Sequence, residues 1–417
     1  MSTHIEIRNR ACNKSTPAAT RISGSRWVCS FLLSLLVVSA LPASSHANSS
    51  RAARFAAAAR QKLTSAKKLK AASDRRRPAR GSLGDTRRPR ALLLEGVAPE
   101  AKQVLTARGF EVKTTRRALS KRKLRRAVRN VTVLGVRSAT QVTPAVLDAA
   151  PRLRAIGSFS VGTNNVAVPA ASARGIPVFN APTSSTRSVA ELTIGQVMML
   201  ARRLGDRSLL MRLGLWKKDS NSIEVMNKTL GIVGYGNIGS AVAVLAESLG
   251  MRVLYHDIAD KEPKGNHTRV ASLDELLRQS DFVTLHVPGT PRTKNMIGAE
   301  QIALMPKGSY LINNSRGNVV QVPAVKAALK SGHLAGAALD VHPDEPKKPL
   351  AGYSSGIRFL RNVVLTSHVG GATQEGQRRI AEHVAGRLSD FFATGEPKGA
   401  VNAAELEDQT GREGVDR

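Results

Sequence analysis

Cysteine is nearly absent: the 417-residue chain has two, Cys12 and Cys29, and none after them. From residue 91 onward this excludes a disulfide framework, a cysteine-based zinc site and a cysteine nucleophile. A thiol-free body folds in either redox compartment, so its location is left open. Acidic residues are also scarce, 31 Asp+Glu against 63 Lys+Arg, for a formal net charge of +32. An excess of that size suggests nucleic acid or a membrane surface. Its distribution argues otherwise. Residues 1–90 hold 19 of the basic residues and only 3 of the acidic ones, so half of the excess lies in about a fifth of the chain.

That first stretch reads as an address. Trp27 to Leu41 is apolar, follows Arg21 and Arg26, and leads through Pro42 to small residues ending in Ser45-His46-Ala47. A short apolar run behind basic residues, with small residues at the cleavage spacing, is the pattern of a secretory signal. It is shorter than the ~20 apolar residues of a membrane-spanning helix. Residues 48–90 are rich in Arg, Lys, Ala and Ser with two acids, Asp74 and Asp85, which is transit-peptide composition. The pair resembles the two-part presequences of plastids reached through the secretory route. An organelle is therefore the expected location, with no stable membrane association after processing. Cytoplasm or mitochondrion is the alternative, and an uncleaved anchor or a misplaced start codon would leave the same residues.

From Arg90 the punctuation becomes regular. Ala91–Leu94 is a strand candidate, a helical stretch runs to Ala107, Gly109 terminates it and Glu111–Thr114 is a second strand. Ser120 can cap a helix over Lys121–Arg129. Val131–Val136, Leu153–Ile156 and Pro177–Phe179 follow as strands, with Thr143-Pro144 opening one helix and Gly175 stopping another. Ser188 to Arg203 is a long helix, and the strand–helix rhythm restarts at Thr229. Strands alternating with glycine-ended helices predict a parallel sheet covered on both faces. The class is α/β, in two doubly wound lobes. Arg116, Arg117, Lys121, Arg122, Lys123, Arg125, Arg126 and Arg129 read as a solvated helix face. No aromatic residue interleaves with them as a stacking platform, so no nucleic-acid partner is expected.

The strongest single signal is Gly234-Tyr235-Gly236-Asn237-Ile238-Gly239, which follows an apolar strand from Thr229 and opens a helix over Ile238–Leu249. Gly234 permits a tight turn, Gly236 lets backbone approach a pyrophosphate, and Gly239 lets helix and strand pack closely. The helix N-terminus offers unsatisfied N–H groups to phosphates. Asp257 ends the next strand, about 20 residues on, where a carboxylate accepts hydrogen bonds from a ribose diol. It would repel a 2′-phosphate, so NAD is preferred to NADP.

Three further residues stand at strand ends. Arg316, in Asn314-Ser315-Arg316-Gly317, follows the strand Tyr310–Asn313 at the carboxyl end, where open α/β sheets bind ligands. Its guanidinium can grip a carboxylate through two parallel bonds. His368 follows Val363–Thr366, with Gly370-Gly371 leaving space beside an imidazole suited to proton exchange near neutrality. Glu345, in Asp340-Val341-His342-Pro343-Asp344-Glu345-Pro346, can hold that imidazole and favour its protonated form. Asp344 and His342 compete for the same roles on sequence alone.

Taken together, these motifs resemble the D-isomer-specific 2-hydroxyacid dehydrogenases. The resemblance runs from about residue 90 to about 405 and is carried by Arg137-Ser138-Ala139-Thr140, Ser185–Glu191, the glycine turn, His286-Val287-Pro288, Asn314–Gly317, Asp340–Pro346 and Ser367–Gly371. Gly157–Asn165, Leu245–Met251 and Asp257–Lys261 look most like the family's phosphoglycerate-oxidising branch. What the resemblance implies is concrete. The NAD-binding lobe, over 188–365, is inserted into a substrate-binding lobe formed by 91–187 and 366–405, with 1–90 as presequence and 406–417 as a tail. Arg316 binds the carboxylate, His368 exchanges the proton and Glu345 is the partner of His368. Asn237, Ile238, Asp257, Asn314, Ser315, Asp340, His368, Val369, Gly370 and Gly371 line the NAD site. Arg137 and Ser138 face a phosphorylated 2-hydroxy acid from the other lobe. A dimer through the nucleotide lobes is implied as well. Ser367 stands where a proline is common and Asn314 where a small residue is common. The chain ends about ten residues beyond Glu407, so feedback through the serine-sensing domain that follows in many members of that branch is not expected. Hydroxypyruvate or glyoxylate reduction, and a non-catalytic NAD-sensing corepressor, are the competing readings. Formate oxidation fits less well, because formate enzymes carry Gln at the Glu345 position.

Overall fold

The computed structural model describes residues 88–346 and 352–411. The targeting signals expected over the first 87 residues, and both cysteines, lie outside them.

Twelve strands are found among the described residues, in two sheets. The first contains β1 (Arg90–Leu93), β2 (Glu111–Thr114), β3 (Val133–Val136), β4 (Ala155–Ser158) and β5 (Val178–Phe179), in the order β2-β1-β3-β4-β5. The second contains β6 (Thr229–Val233), β7 (Arg252–His256), β8 (Thr268–Arg269), β9 (Phe282–Leu285), β10 (Ser309–Asn313), β11 (Leu334–Leu339) and β12 (Val363–Leu365), in the order β12-β11-β10-β9-β6-β7-β8. Every pairing is parallel. Parallel strands need crossovers, and the crossover helices cover both faces. That is why β3, β4, β6, β9 and β10 are buried at every residue. The edge strand β2 instead exposes Glu111 and Lys113, charges that discourage pairing with another chain.

Alternation along the strands divides each core in two. In the second sheet Val233, Val283, Leu285 and Leu311 face the helices Leu273–Gln279 and Val322–Ser331 through Leu276 and Val325. Leu230, Ile232, Tyr255 and Ile312 face the helices Thr186–Arg202 and Asn237–Ser248 through Val197, Leu200 and Val242. In the first sheet one face packs on Leu124, Val146 and Ala171. The other holds Ala91, Leu93, Val133 and Phe159 against Leu105 of the helix Pro99–Ala107 and against Ile380, Val384 and Leu388 of the helix Gln374–Thr394. The chain therefore returns to the first sheet after building the second, which makes the second lobe an insertion. Gly157 on β4 permits the return, because a Cβ there would come within 2.9 Å of both Leu388 and Val384.

Several boundaries shift from the sequence reading. β1 starts at Arg90, inside the range assigned to the presequence, because Arg90 pairs with Glu111 and Pro89 C=O accepts the Glu111 N–H. The presumed tail from 406 is part of a helix, Ala403–Gly411, with Leu406 buried. The basic helix is α-helical only over Lys121–Ala127 and tightens to a 3₁₀ turn at Val128–Asn130. Ser120 sits at its N-cap, yet the hydroxyl makes no capping bond. Leu124 is the buried residue of that helix and its cations are exposed, as a solvated face requires.

Each sheet reverses direction once: β6 lies between β7 and β9, and β1 between β2 and β3. A crevice opens beyond the carboxyl ends of the strands at such a switch point. Removing the Leu388 side chain should reduce the unfolding free energy by ~2–5 kcal/mol, the usual range for a buried leucine cut to alanine. Urea unfolding of Leu388→Ala reads this as a lower midpoint, and an unchanged midpoint would mean that the returning helix does not anchor the first lobe.

Candidate active site

The glycine turn occupies the switch point of the second sheet. Gly234 follows β6 with φ +91°, and a Cβ on it would lie 2.7 Å from the backbone oxygen of His286, which follows β9. Gly239, in the first turn of the helix Asn237–Ser248, is packed so closely that a Cβ would come 2.1 Å from the Gly234 oxygen. Gly236, the N-cap, differs: a Cβ there would meet nothing within 4 Å. Open space therefore adjoins the helix N-terminus, beside exposed Asn237 and half-buried Ile238. Backbone N–H groups and free room beside them fit a pyrophosphate.

Asp257 directly follows β7. One carboxylate oxygen accepts from the Tyr235 N–H (2.7 Å) and the other from Ala259 N–H (2.9 Å). The residue read as a ribose acceptor thus also braces the glycine turn. Each carboxylate oxygen has a second lone pair, so both tasks are compatible.

After β10 the turn is organised by Asn313, which sequence reasoning did not single out. Its side-chain oxygen accepts from the Ser315 N–H (3.1 Å) and hydroxyl (2.7 Å), and its amide donates to Arg316 C=O (3.0 Å). Asn314 faces elsewhere. Its amide donates to Thr193 Oγ1 (2.9 Å) and Gln196 Oε1 (2.7 Å) on the helix Thr186–Arg202. Its side chain ties β10 to that helix and leaves only backbone for the crevice. Arg316 donates from Nη1 to Ser315 C=O (2.7 Å) and makes no ion pair among the described residues. Its side chain passes Gly289, and Nη2 would lie 3.2 Å from a Cβ on Gly162, which belongs to the loop after β4. The guanidinium thus reaches from one lobe to the rim of the other.

Asp340, directly after β11 and 2% exposed, grips the segment after β12. Oδ1 accepts from Thr366 Oγ1 (2.6 Å) and Val369 N–H (2.8 Å), Oδ2 from Gly370 N–H (2.8 Å), and its C=O from His368 N–H (2.7 Å). His368 is held at φ +57°, a conformation that costs a non-glycine residue ~1–3 kcal/mol. Hydrogen bonds to a charged group contribute ~1.5–3 kcal/mol each, and three of them outweigh that strain. A Cβ on Gly370 would press within 3.0 Å of Asp340 Oδ2, and one on Gly371 within 3.3 Å of Ser185. Both approaches are tight enough that a side chain would ask its neighbour to move by a few tenths of an ångström, while Val369 stays exposed.

His368 Nδ1 lies 2.9 Å from Glu345 Oε2. A carboxylate only accepts, so Nδ1 carries the proton and Nε2 is left for exchange. Glu345 Oε1 accepts from the His342 N–H (3.1 Å). The hydrogen bond to Glu345 raises the His368 pKa above the usual value; burial opposes this, the charges of Glu345 and Asp340 add to it, and Arg316 subtracts. Burial pushes Glu345 up, but the hydrogen bonds from His368 and from His342 N–H outweigh it, and its pKa is lowered. The rivals are elsewhere. His342 Nε2 is taken up by Thr366 C=O (2.8 Å), and Asp344 is exposed without a hydrogen bond to His368. His286, beside the glycine turn, is pushed by burial to about 3 and stays neutral. In the first lobe Arg137 and Ser138 directly follow β3, half-buried and exposed respectively.

An imidazole with a raised pKa therefore stands against its carboxylate and within electrostatic reach of a guanidinium that forms no ion pair among the described residues. Residues 194–370 match the family profile described as D-isomer specific 2-hydroxyacid dehydrogenase, NAD binding domain. The D-3-phosphoglycerate dehydrogenase of Dictyostelium discoideum is 46% identical over 316 residues, which cover 76% of this chain and 78% of that protein. The Escherichia coli K12 protein of the same name is 48% identical over 317 residues, covering 76% and 77%. This chain belongs to the D-isomer-specific 2-hydroxyacid dehydrogenase family. The structure of D-lactate dehydrogenase from Aquifex aeolicus complexed with NAD and lactic acid shares the family fold, with a TM-score of 0.64 and 29% identity over 73% of this chain and 96% of that one.

Glu345→Gln should return the His368 pKa towards the ordinary value. With Glu345 the imidazolium persists to higher pH, so the neutral, proton-accepting form appears only as pH rises through the raised pKa. The variant should therefore show that transition at lower pH in an NMR titration of the His368 ring. A transition at unchanged pH would remove Glu345 as the cause.

Proposed function

We propose that this protein is an NAD-dependent D-3-phosphoglycerate dehydrogenase that oxidises 3-phosphoglycerate to 3-phosphohydroxypyruvate, the first step of phosphorylated serine biosynthesis. One observation carries the reading: Arg316, free of any ion pair among the described residues, reaches across the lobes beside the His368–Glu345 pair. Arg316 grips the substrate carboxylate through parallel N–H donors. His368 takes the C2 hydroxyl proton at Nε2, and Glu345 stabilises the imidazolium so formed. Asp340 keeps that imidazole in place. NAD, when bound, supplies the hydride acceptor. Gly234, Gly236, Asn237, Ile238, Gly239 and Asp257 would hold it, with backbone of Asn314 and Ser315 and the segment His368–Gly371 along its other side.

Two features support a phosphorylated substrate. The relatives that match over three quarters of the chain carry that substrate in their name. Residues 88–187 hold 18 basic and 4 acidic residues, whereas 188–417 hold 28 and 24. Between these two segments, the one carrying Arg137 and Ser138 thus has the larger excess of positive charge, which attracts a polyanion.

We also propose a homodimer through the NAD-binding lobe. Leu209, Met211, Leu213, Leu215 and Trp216 are all more than half exposed in one short stretch, and clustered exposed apolar side chains mark interaction surfaces. Leu213→Glu with Trp216→Glu should shift the sedimentation coefficient to that of a monomer; an unchanged coefficient would place the interface elsewhere.

NAD reduction with 3-phosphoglycerate tests the assignment. Turnover with glyoxylate or hydroxypyruvate alone would transfer it to another member of the family, and NAD binding without turnover on any 2-hydroxy acid would favour a sensor. His368→Asn should cut turnover by at least ~100-fold, the low end for general acid–base catalysis, and near-native turnover would refute its role.

A further inference from the structure

The turn that presents Arg137 and Ser138 is held by two side chains to which the sequence reading gave no role, Glu95 and Asn165. Glu95 follows β1, which is the neighbour of β3 at the switch point of the first sheet. Its Oε2 accepts from Ala139 N–H (2.9 Å) and its Oε1 from Thr140 N–H (2.7 Å). Across the turn, the buried Asn165 amide donates to the carbonyls of Arg137 (2.7 Å) and Thr140 (2.7 Å). Four bonds thus fix a four-residue turn, donors on one side and acceptors on the other. Glu95 is itself held at φ +65°, a conformation rare for a non-glycine residue. It forms no ion pair among the described residues.

A carboxylate beside a cationic, substrate-facing turn is costly for anion binding, because its charge opposes the ligand. Its two oxygens, however, satisfy two adjacent N–H groups with one acceptor each, whereas a Gln side chain has a single acceptor oxygen to share between them. We infer that Glu95 and Asn165 are positioning residues for substrate binding, acting as a two-sided clamp that sets where Arg137 and Ser138 stand. The inference rests on the reading of Arg137 and Ser138 as substrate-facing. It assigns to the clamp the fit of the phosphorylated acid and nothing of the proton transfer at His368.

Steady-state kinetics of the full chain with 3-phosphoglycerate, together with NADH binding followed by fluorescence, test this on Glu95→Gln, Asn165→Ala, Arg137→Ala and the doubles of Arg137→Ala with each clamp variant. Glu95→Gln and Asn165→Ala should each raise KM by ~10-fold, or about 1.4 kcal/mol. The kcat should stay within about 3-fold, and NADH affinity should not change. In the Arg137→Ala background each should add less than about 2-fold, because residues acting through a shared partner are not additive. A KM unchanged in both clamp variants, or the full penalty repeated in the Arg137→Ala background, overturns the clamp. An Arg137→Ala enzyme with native KM overturns instead the placement of Arg137 at the substrate. If Glu95→Gln does not fold, Asn165→Ala carries the same comparison from the opposite side of the turn.

Discussion

The site depends on one buried carboxylate. Asp340 collects the Thr366 hydroxyl and the N–H groups of Val369 and Gly370, and its carbonyl takes the N–H of His368. Those bonds offset the cost of holding His368 in a left-handed backbone conformation. With them, the ring meets Glu345 at 2.9 Å, and the shift of its pKa follows from that contact. The strain at His368 is local. The interactions that sustain it come from the end of β11, 28 residues earlier in the chain.

That distance is the reason the site was only partly legible in sequence. The glycine turn could be read because its constraints are local: three glycines, a strand before and a helix after. Arg316 and His368 could be placed because both follow apolar strands. The choice among Glu345, Asp344 and His342 could not, since it turns on which carboxylate reaches an imidazole 23 residues away and on Thr366 C=O occupying His342. Asn314 is the clearest divergence. Its place in the motif suggests the cofactor, whereas its side chain serves the helix Thr186–Arg202, more than 100 residues back. Asn313 and Glu95 were invisible for the same reason, as was the role of Asn165 within its motif: each holds backbone, and backbone leaves no residue type to recognise.

The fold divides more evenly. Apolar runs and glycine punctuation located β1 to β5, β10 and β12 to within two residues, because buried parallel strands are apolar, whereas β8, β9 and β11 were given no range. Helix ends were less legible. Ser120 has the right side chain in the right place and still makes no capping bond, since an exposed first turn can satisfy its N–H groups with water. The return of the helix Gln374–Thr394 could not be read from its own amphipathic pattern, which says that a face is buried but not against what. Gly157, whose missing Cβ makes room for Val384 and Leu388, records the pairing only once both partners are seen.

The two lobes contribute different things to one reaction. The second lobe and the segment that directly follows β12 supply the acid–base pair and the guanidinium, held by hydrogen bonds at the ends of β10 and β11. The first lobe supplies positive charge and a rigid rim. Long-range attraction from a basic lobe draws anions without discriminating among them, because the field falls off smoothly over a Debye length of ~8 Å. Discrimination requires fixed donors at short range, and flexible arginines on a mobile turn would not provide it. The negative charge of Glu95 is therefore intelligible beside so many cations: the attraction lost to one carboxylate is small against an excess of that size, and its two oxygens hold the N–H groups of Ala139 and Thr140 beside Arg137 and Ser138.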